Sequence, residues 1–147
     1  MSIPVHIDIF NKVVAKVLME LYDNFPRPTD LDPMLIGMGI VLSEGLDSES
    51  EQFKALVGTP EATIDFLVTE GFVRFDPSLR TLGKLTFPEA VLTARGLALL
   101  HRVPESVDAT LDRRTYIERI KSAAADGVKA AIPETIGVLV GGLLGAA

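Results

Sequence analysis

Ile9, Phe10, Val13, Val14, Val17, Leu18, Leu21 and Tyr22 recur as pairs every four residues. That spacing lays one broad apolar stripe along a helix, because positions three and four apart fall on the same face. Such a stripe is unstable in water, so the rest of the chain must supply a core against it. At 147 residues the chain fits one domain and is long enough to bury that core. Asn24 and Pro26 end the helix, and Pro26, Pro28 and Pro33 make a rigid connection onward.

Composition narrows the classes of function. A chain that is 48% hydrophobic and 23% charged is neither disordered, collagenous nor disulfide-rich. With no Cys there is no disulfide framework, thiolate zinc site or Cys nucleophile. His6 and His101 are the only histidines, and no HExxH or GxSxG spacing surrounds them. We therefore expect no catalytic residues, no metal ligands and no cofactor, and identify no small-molecule substrate. Asp30 with Asp32 and Glu49 with Glu51 sit among Pro and Ser and read as turn and cap chemistry. The start of the chain carries Asp8 and no Lys before Lys12, which is unlike a secretory signal and suggests a cytoplasmic protein.

Asp32-Pro33 suits the cap and first position of a short helix through Met34-Leu35-Ile36, interrupted by Gly37 and Gly39. Ser48 and Glu51 have the spacing of a capping box, predicting a helix through Phe53, Leu56 and Val57 to Gly58. Thr59-Pro60-Glu61 starts the next, with Thr59 capping free amides, and Gly71 ends it. Val73 and Phe75, then Leu85, Phe87 and Val91, alternate as the strands of a hairpin with an irregular tip. Thr93 caps a helix through Leu97, Leu99 and Leu100. After a polar link, Tyr116, Ile117, Ile120, Ala124 and Val128 predict a last amphipathic helix up to Pro133. The expected fold is mainly α (α+β).

Two runs carry a resemblance: Phe66-Leu67-Val68-Thr69-Glu70-Gly71-Phe72-Val73-Arg74-Phe75 and Val91-Leu92-Thr93-Ala94-Arg95-Gly96-Leu97-Ala98-Leu99-Leu100. The first resembles the third helix of a winged helix-turn-helix domain passing into its first wing strand. The second resembles the LTxxG return from the last wing strand into a closing helix, as in many bacterial regulators. The resemblance covers residues 7–103, with residues 104–147 forming a linker, an amphipathic helix and a Gly-rich apolar tail. It extends to a group of small bacterial proteins in which such a domain precedes a Gly- and Ala-rich tail. It implies a β-hairpin wing, and DNA binding as one function.

The charges argue against that function. A groove-reading helix needs Arg, Lys, Asn or Gln, whereas residues 59–71 carry Glu61, Asp65 and Glu70 and no cation. Residues 1–60 hold 4 basic against 9 acidic groups. Arg74, Arg80 and Lys84, in or near the hairpin, are the remaining phosphate contact set. On the helical wheel Asp65, Phe66 and Thr69 face away from the core and are candidates for protein contact.

In the tail, Gly137, Gly141 and Gly145 fall four residues apart, so a helix would carry one smooth side that another helix can approach closely. Val138, Leu139, Val140, Leu143 and Leu144 cover the rest, and an all-round apolar helix must be buried in something. Packing on its own domain, disorder, a second copy of the chain and a membrane surface are the alternatives. The expectation is a non-enzymatic interaction or adaptor module that self-associates or meets another protein, with a DNA-binding regulator as the alternative.

Overall fold

The computed structural model describes residues 4–103 and 114–125. Among them the fold is mixed α+β, with six α-helices and one small antiparallel sheet. Helix α1 (Val5–Asn24) is the centre of the molecule. Its stripe of Ile9, Val13, Val14, Val17, Leu18 and Leu21 is almost wholly shielded from solvent. Helices α2 (Pro33–Glu44), α3 (Glu51–Ala55), α4 (Thr59–Thr69) and α6 (Tyr116–Ala125) and the sheet gather around it.

The cap chemistry works in part at other residues than expected. Asp32 accepts hydrogen bonds from the Met34 and Leu35 amides at 2.9 and 3.4 Å and starts α2. The helix then continues through Gly37 and Gly39 to Glu44, where Gly45 at φ +62° stops it. Each interior Gly costs about 1 kcal/mol, yet burial of Ile36 and Ile40 carries the helix through them. Ser50, and not Ser48, caps α3, accepting from the Phe53 amide at 3.1 Å. Thr59 does not cap α4; its hydroxyl donates back to the Ala55 carbonyl and joins α3 to α4.

The sheet has the order β1-β3-β2. Strand β1 (Thr29–Leu31), which the proline-rich sequence conceals, pairs with β3 (Phe87–Leu92). Strand β2 is only Val73–Arg74, paired with Leu92 and Val91. The expected hairpin is therefore short. A 3-10 turn (Pro77–Leu79) capped by Asp76 takes its outer part, and Leu85 lies outside β3 and exposed. Between the pairs Thr29–Ala90 and Leu31–Phe87, β3 has one residue more than β1. This bulge places Glu89 at φ +51°, and its amide donates to Asp30 Oδ1 at 2.9 Å. Pro88 sits in the bulge, where its missing N–H costs no ladder bond.

Helix α5 (Ala94–Leu100) is bound to the end of α4 by Thr93. The Thr93 amide donates to the Phe72 carbonyl at 3.1 Å and its hydroxyl to the Gly71 carbonyl at 2.6 Å. The same oxygen accepts from the Gly96 amide at 3.0 Å. Thr115 and Glu118 start α6 by exchanging bonds, Thr115 N to Glu118 Oε1 at 3.0 Å and Glu118 N to Thr115 Oγ1 at 3.3 Å. Tyr116, Ile117 and Ile120 enter the common core, which thus extends beyond residues 7–103. Ala123 completes the buried side, whereas Ala124 is exposed. Val128 lies outside the described residues.

Candidate functional site

Helix α2 is apolar on every side, with Glu44 as its only charged residue. A helix of that composition should be covered all round. Here only one side is covered. Pro33, Ile36, Gly37 and Ile40 are buried, while Met34, Met38 and Leu42, four residues apart, form an uncovered stripe. Met34 is 72% exposed and Leu42 80%. Leu35, beside Met34, is 64% exposed.

Other elements turn this stripe into a groove of about 750 Å³. Phe53, Leu56 and Val57 from α3 and its following turn form one wall. Pro60 from α4 and Leu85 from the loop before β3 contribute further, with Asp32, Glu61 and Lys84 as its charged members. Local rules of the chain bring these residues together. Gly58 at φ +80° allows the sharp reversal from α3 to α4, and the Thr59 hydroxyl fixes their angle.

The α1–α2 junction is held by charge. Lys12 Nζ lies 2.8 Å from Asp8 and 2.6 Å from Glu44, so the C-terminal end of α2 is pinned to α1. Partial burial works against the ammonium, but the hydrogen bonds and charges of Asp8 and Glu44 outweigh it and leave the pKa of Lys12 raised. At the other end of α1, a second groove of about 500 Å³ is lined by Lys16, Glu20, Asp23, Asp30 and Asp32 together with Leu35. Burial, opposed by Lys16, raises the pKa of Glu20 there. Asp30 and Asp32 already accept the backbone bonds of the bulge and of α2. Among the described residues no three His, Asp or Glu side chains converge as metal ligands. His101 Nε2 lies 2.9 Å from the Tyr22 hydroxyl.

The residues singled out from the sequence are dispersed. Asp65 and Thr69 are exposed on α4. Phe66 corrects the helical wheel: it is half-buried, edge-on to Phe10 at 5.5 Å between ring centres. Arg74 is exposed on β2. Arg80 has its guanidinium over the Phe75 and Phe87 rings at 4.7 and 4.6 Å, and its Nε donates to the Thr86 carbonyl at 2.9 Å. Lys84 alone of these residues lines the groove. Gly137, Gly141 and Gly145 lie outside the described residues.

Sequence reasoning missed the groove itself. Its signal was present in twelve residues of near-unbroken apolarity with no polar side, which reads equally well as a fully buried helix. No described helix is long and apolar enough to cross a membrane. No family model, curated protein or solved structure matches the chain.

Proposed function

We propose that the chain is a protein-interaction module of winged-helix-like architecture, which binds the apolar face of a helical segment along α2. The observation that carries this reading is the uncovered stripe Met34, Met38 and Leu42 facing Val57 and Leu85 across the groove. Burying such side chains yields roughly 25 cal/mol per Å² of apolar surface. Methionine side chains adapt readily to the shape of an incoming helix. The winged-helix comparison is supported by the succession α1, β1, α2, α4, β2, β3, into which the short α3 is inserted before α4, and by the central position of β3.

The contact surface is thus α2 rather than the outward side of α4. Asp65 and Glu70 on that side would repel phosphate, and no cation lies in α4 to offset them. Arg80, one of three expected phosphate contacts, is engaged with two aromatic rings and a carbonyl of its own hairpin.

Methionine methyl resonances test the reading, since Met34 and Met38 lie on the groove and Met19 on α1. A synthetic amphipathic peptide with a leucine face, added up to millimolar concentration, should move the Met34 and Met38 signals saturably. Met38→Glu should abolish the effect. Signals that stay in place would refute the groove. Duplex DNA binding tighter than micromolar at physiological salt, lost in Arg74→Ala, would replace this reading by the regulator.

A further inference from the structure

We infer that the groove along α2 is covered in the same molecule by residues 135–147, which act as a built-in competitor for the external partner. This inference rests on the reading of the groove as a helix-binding surface. Residues 135–147 contain no charged side chain and include Ile136, Val138, Leu139, Val140, Leu143 and Leu144. They are the one run in the sequence after α6 with the chemistry that the exposed apolar stripe of Met34, Met38 and Leu42 selects.

Length and position both fit. A helix of thirteen residues measures about 20 Å, and the twelve residues of α2 about 18 Å. Glycines at 137, 141 and 145 would give such a helix one flat side for close approach to α2. Residues 126–134 are the tether, and nine residues reach up to about 30 Å when extended. Lys121, in the last part of α6, pairs with Asp23 at the end of α1. Asp23 lines the smaller groove together with Leu35, so α6 and the start of α2 both lie at the C-terminal end of α1. Helices α6 and α2 each pack on α1, and neighbouring helix axes are about 8–10 Å apart, so two such spacings lie inside the reach of the tether.

Tethering also decides between the same molecule and a second copy. A nine-residue link presents its segment at an effective concentration of about 1 mM. If the segment binds the groove with an intrinsic Kd of about 10 μM, that keeps about 99% of molecules self-covered and weakens an external peptide about 100-fold. A second copy would have to reach a similar concentration to compete.

The absence of native Cys makes the test direct. Ala147→Cys in the full chain accepts a single nitroxide, and methyl-labelled methionine supplies the reporters. The nitroxide should remove most of the Met34 and Met38 methyl signal, equally after tenfold dilution, and Leu139→Asp with Leu143→Asp should restore it. No loss of signal would overturn the inference. Loss in a mixture of methyl-labelled chains without nitroxide and nitroxide chains without methyl label would also overturn it, assigning the groove to a second copy. A synthetic peptide of residues 132–147 separates this inference from the reading beneath it. It should shift Met34 and Met38 in the doubly substituted chain at about 100-fold lower concentration than in the unsubstituted chain. Equal affinities would remove self-coverage and leave the groove standing; no shift in either chain would remove both.

Discussion

Replacing Gly96 by Ala should destabilise the protein, although the position is helical and Ala is the better helix former. A Cβ built on Gly96 would lie within 3.0 Å of the Phe72 carbonyl oxygen and 3.1 Å from its carbon. The obstacle is backbone, so no side-chain rotation relieves it. Moving α5 away would stretch the bonds from Thr93 to Phe72 and Gly71, at 3.1 and 2.6 Å. Overpacking of this kind costs about 1–3 kcal/mol, and weakening one such hydrogen bond about 1 kcal/mol more. The helical preference of Ala returns roughly 0.5–1 kcal/mol. The net loss is then about 2 kcal/mol, or a fall in Tm of roughly 6 °C for a domain of this size. Thermal melts followed by far-ultraviolet circular dichroism measure it. Gly39→Ala is the matched control, because its Cβ would meet nothing nearer than the flexible Lys16 Nζ at 3.5 Å. That variant should gain up to about 1 kcal/mol. An unchanged or raised Tm for Gly96→Ala would refute the close-approach argument and leave helix propensity in charge.

Three further outcomes follow from other contacts. Glu89→Gly should raise stability by about 1 kcal/mol by relieving the left-handed backbone of the bulge, while Asp30→Ala should lower it by a similar amount through loss of the bond to the Glu89 amide; urea titration reads both. Arg80→Ala should cost about 1 kcal/mol in the same titration, and Arg80→Lys should recover only part of it because an ammonium cannot stack flat on Phe75 and Phe87 while donating to Thr86. Glu20→Gln should stabilise the protein at neutral pH, since the raised carboxyl pKa means that the fold binds the proton more tightly than the unfolded chain does. That linkage favours the fold below the unfolded pKa and is lost as pH rises through the folded one, so the advantage of Gln should shrink on acidification; stability measured from pH 7 to pH 3 checks the sign.

Local chemistry was the legible part of this sequence. The stripe of α1 and the Thr93 cap depend on neighbours a few residues away, and both stand in the structure. Strand β1 was hidden because its three residues, flanked by prolines, take their conformation from β3 nearly sixty positions later. The same long-range pairing hid the character of β3. Phe87, Ala90, Val91 and Leu92 are all buried in a strand flanked on both sides, so alternation was the wrong template. At the candidate site, composition could say that α2 needed covering but not which side its own domain would leave bare. Ile36 and Ile40 differ little in chemistry from Leu35 and Leu42, and only packing on α1 and α4 separates them.

The two outer strands of the sheet are three and two residues long. An incoming strand would find only a few main-chain groups to pair with on either edge, far short of what a templating edge offers. Among the described residues, growth of fibrils by strand addition is therefore poorly supported, even with Leu82 and Leu85 exposed close by. Concentrated samples should instead form assemblies that keep their helical circular dichroism and do not acquire a cross-β signature.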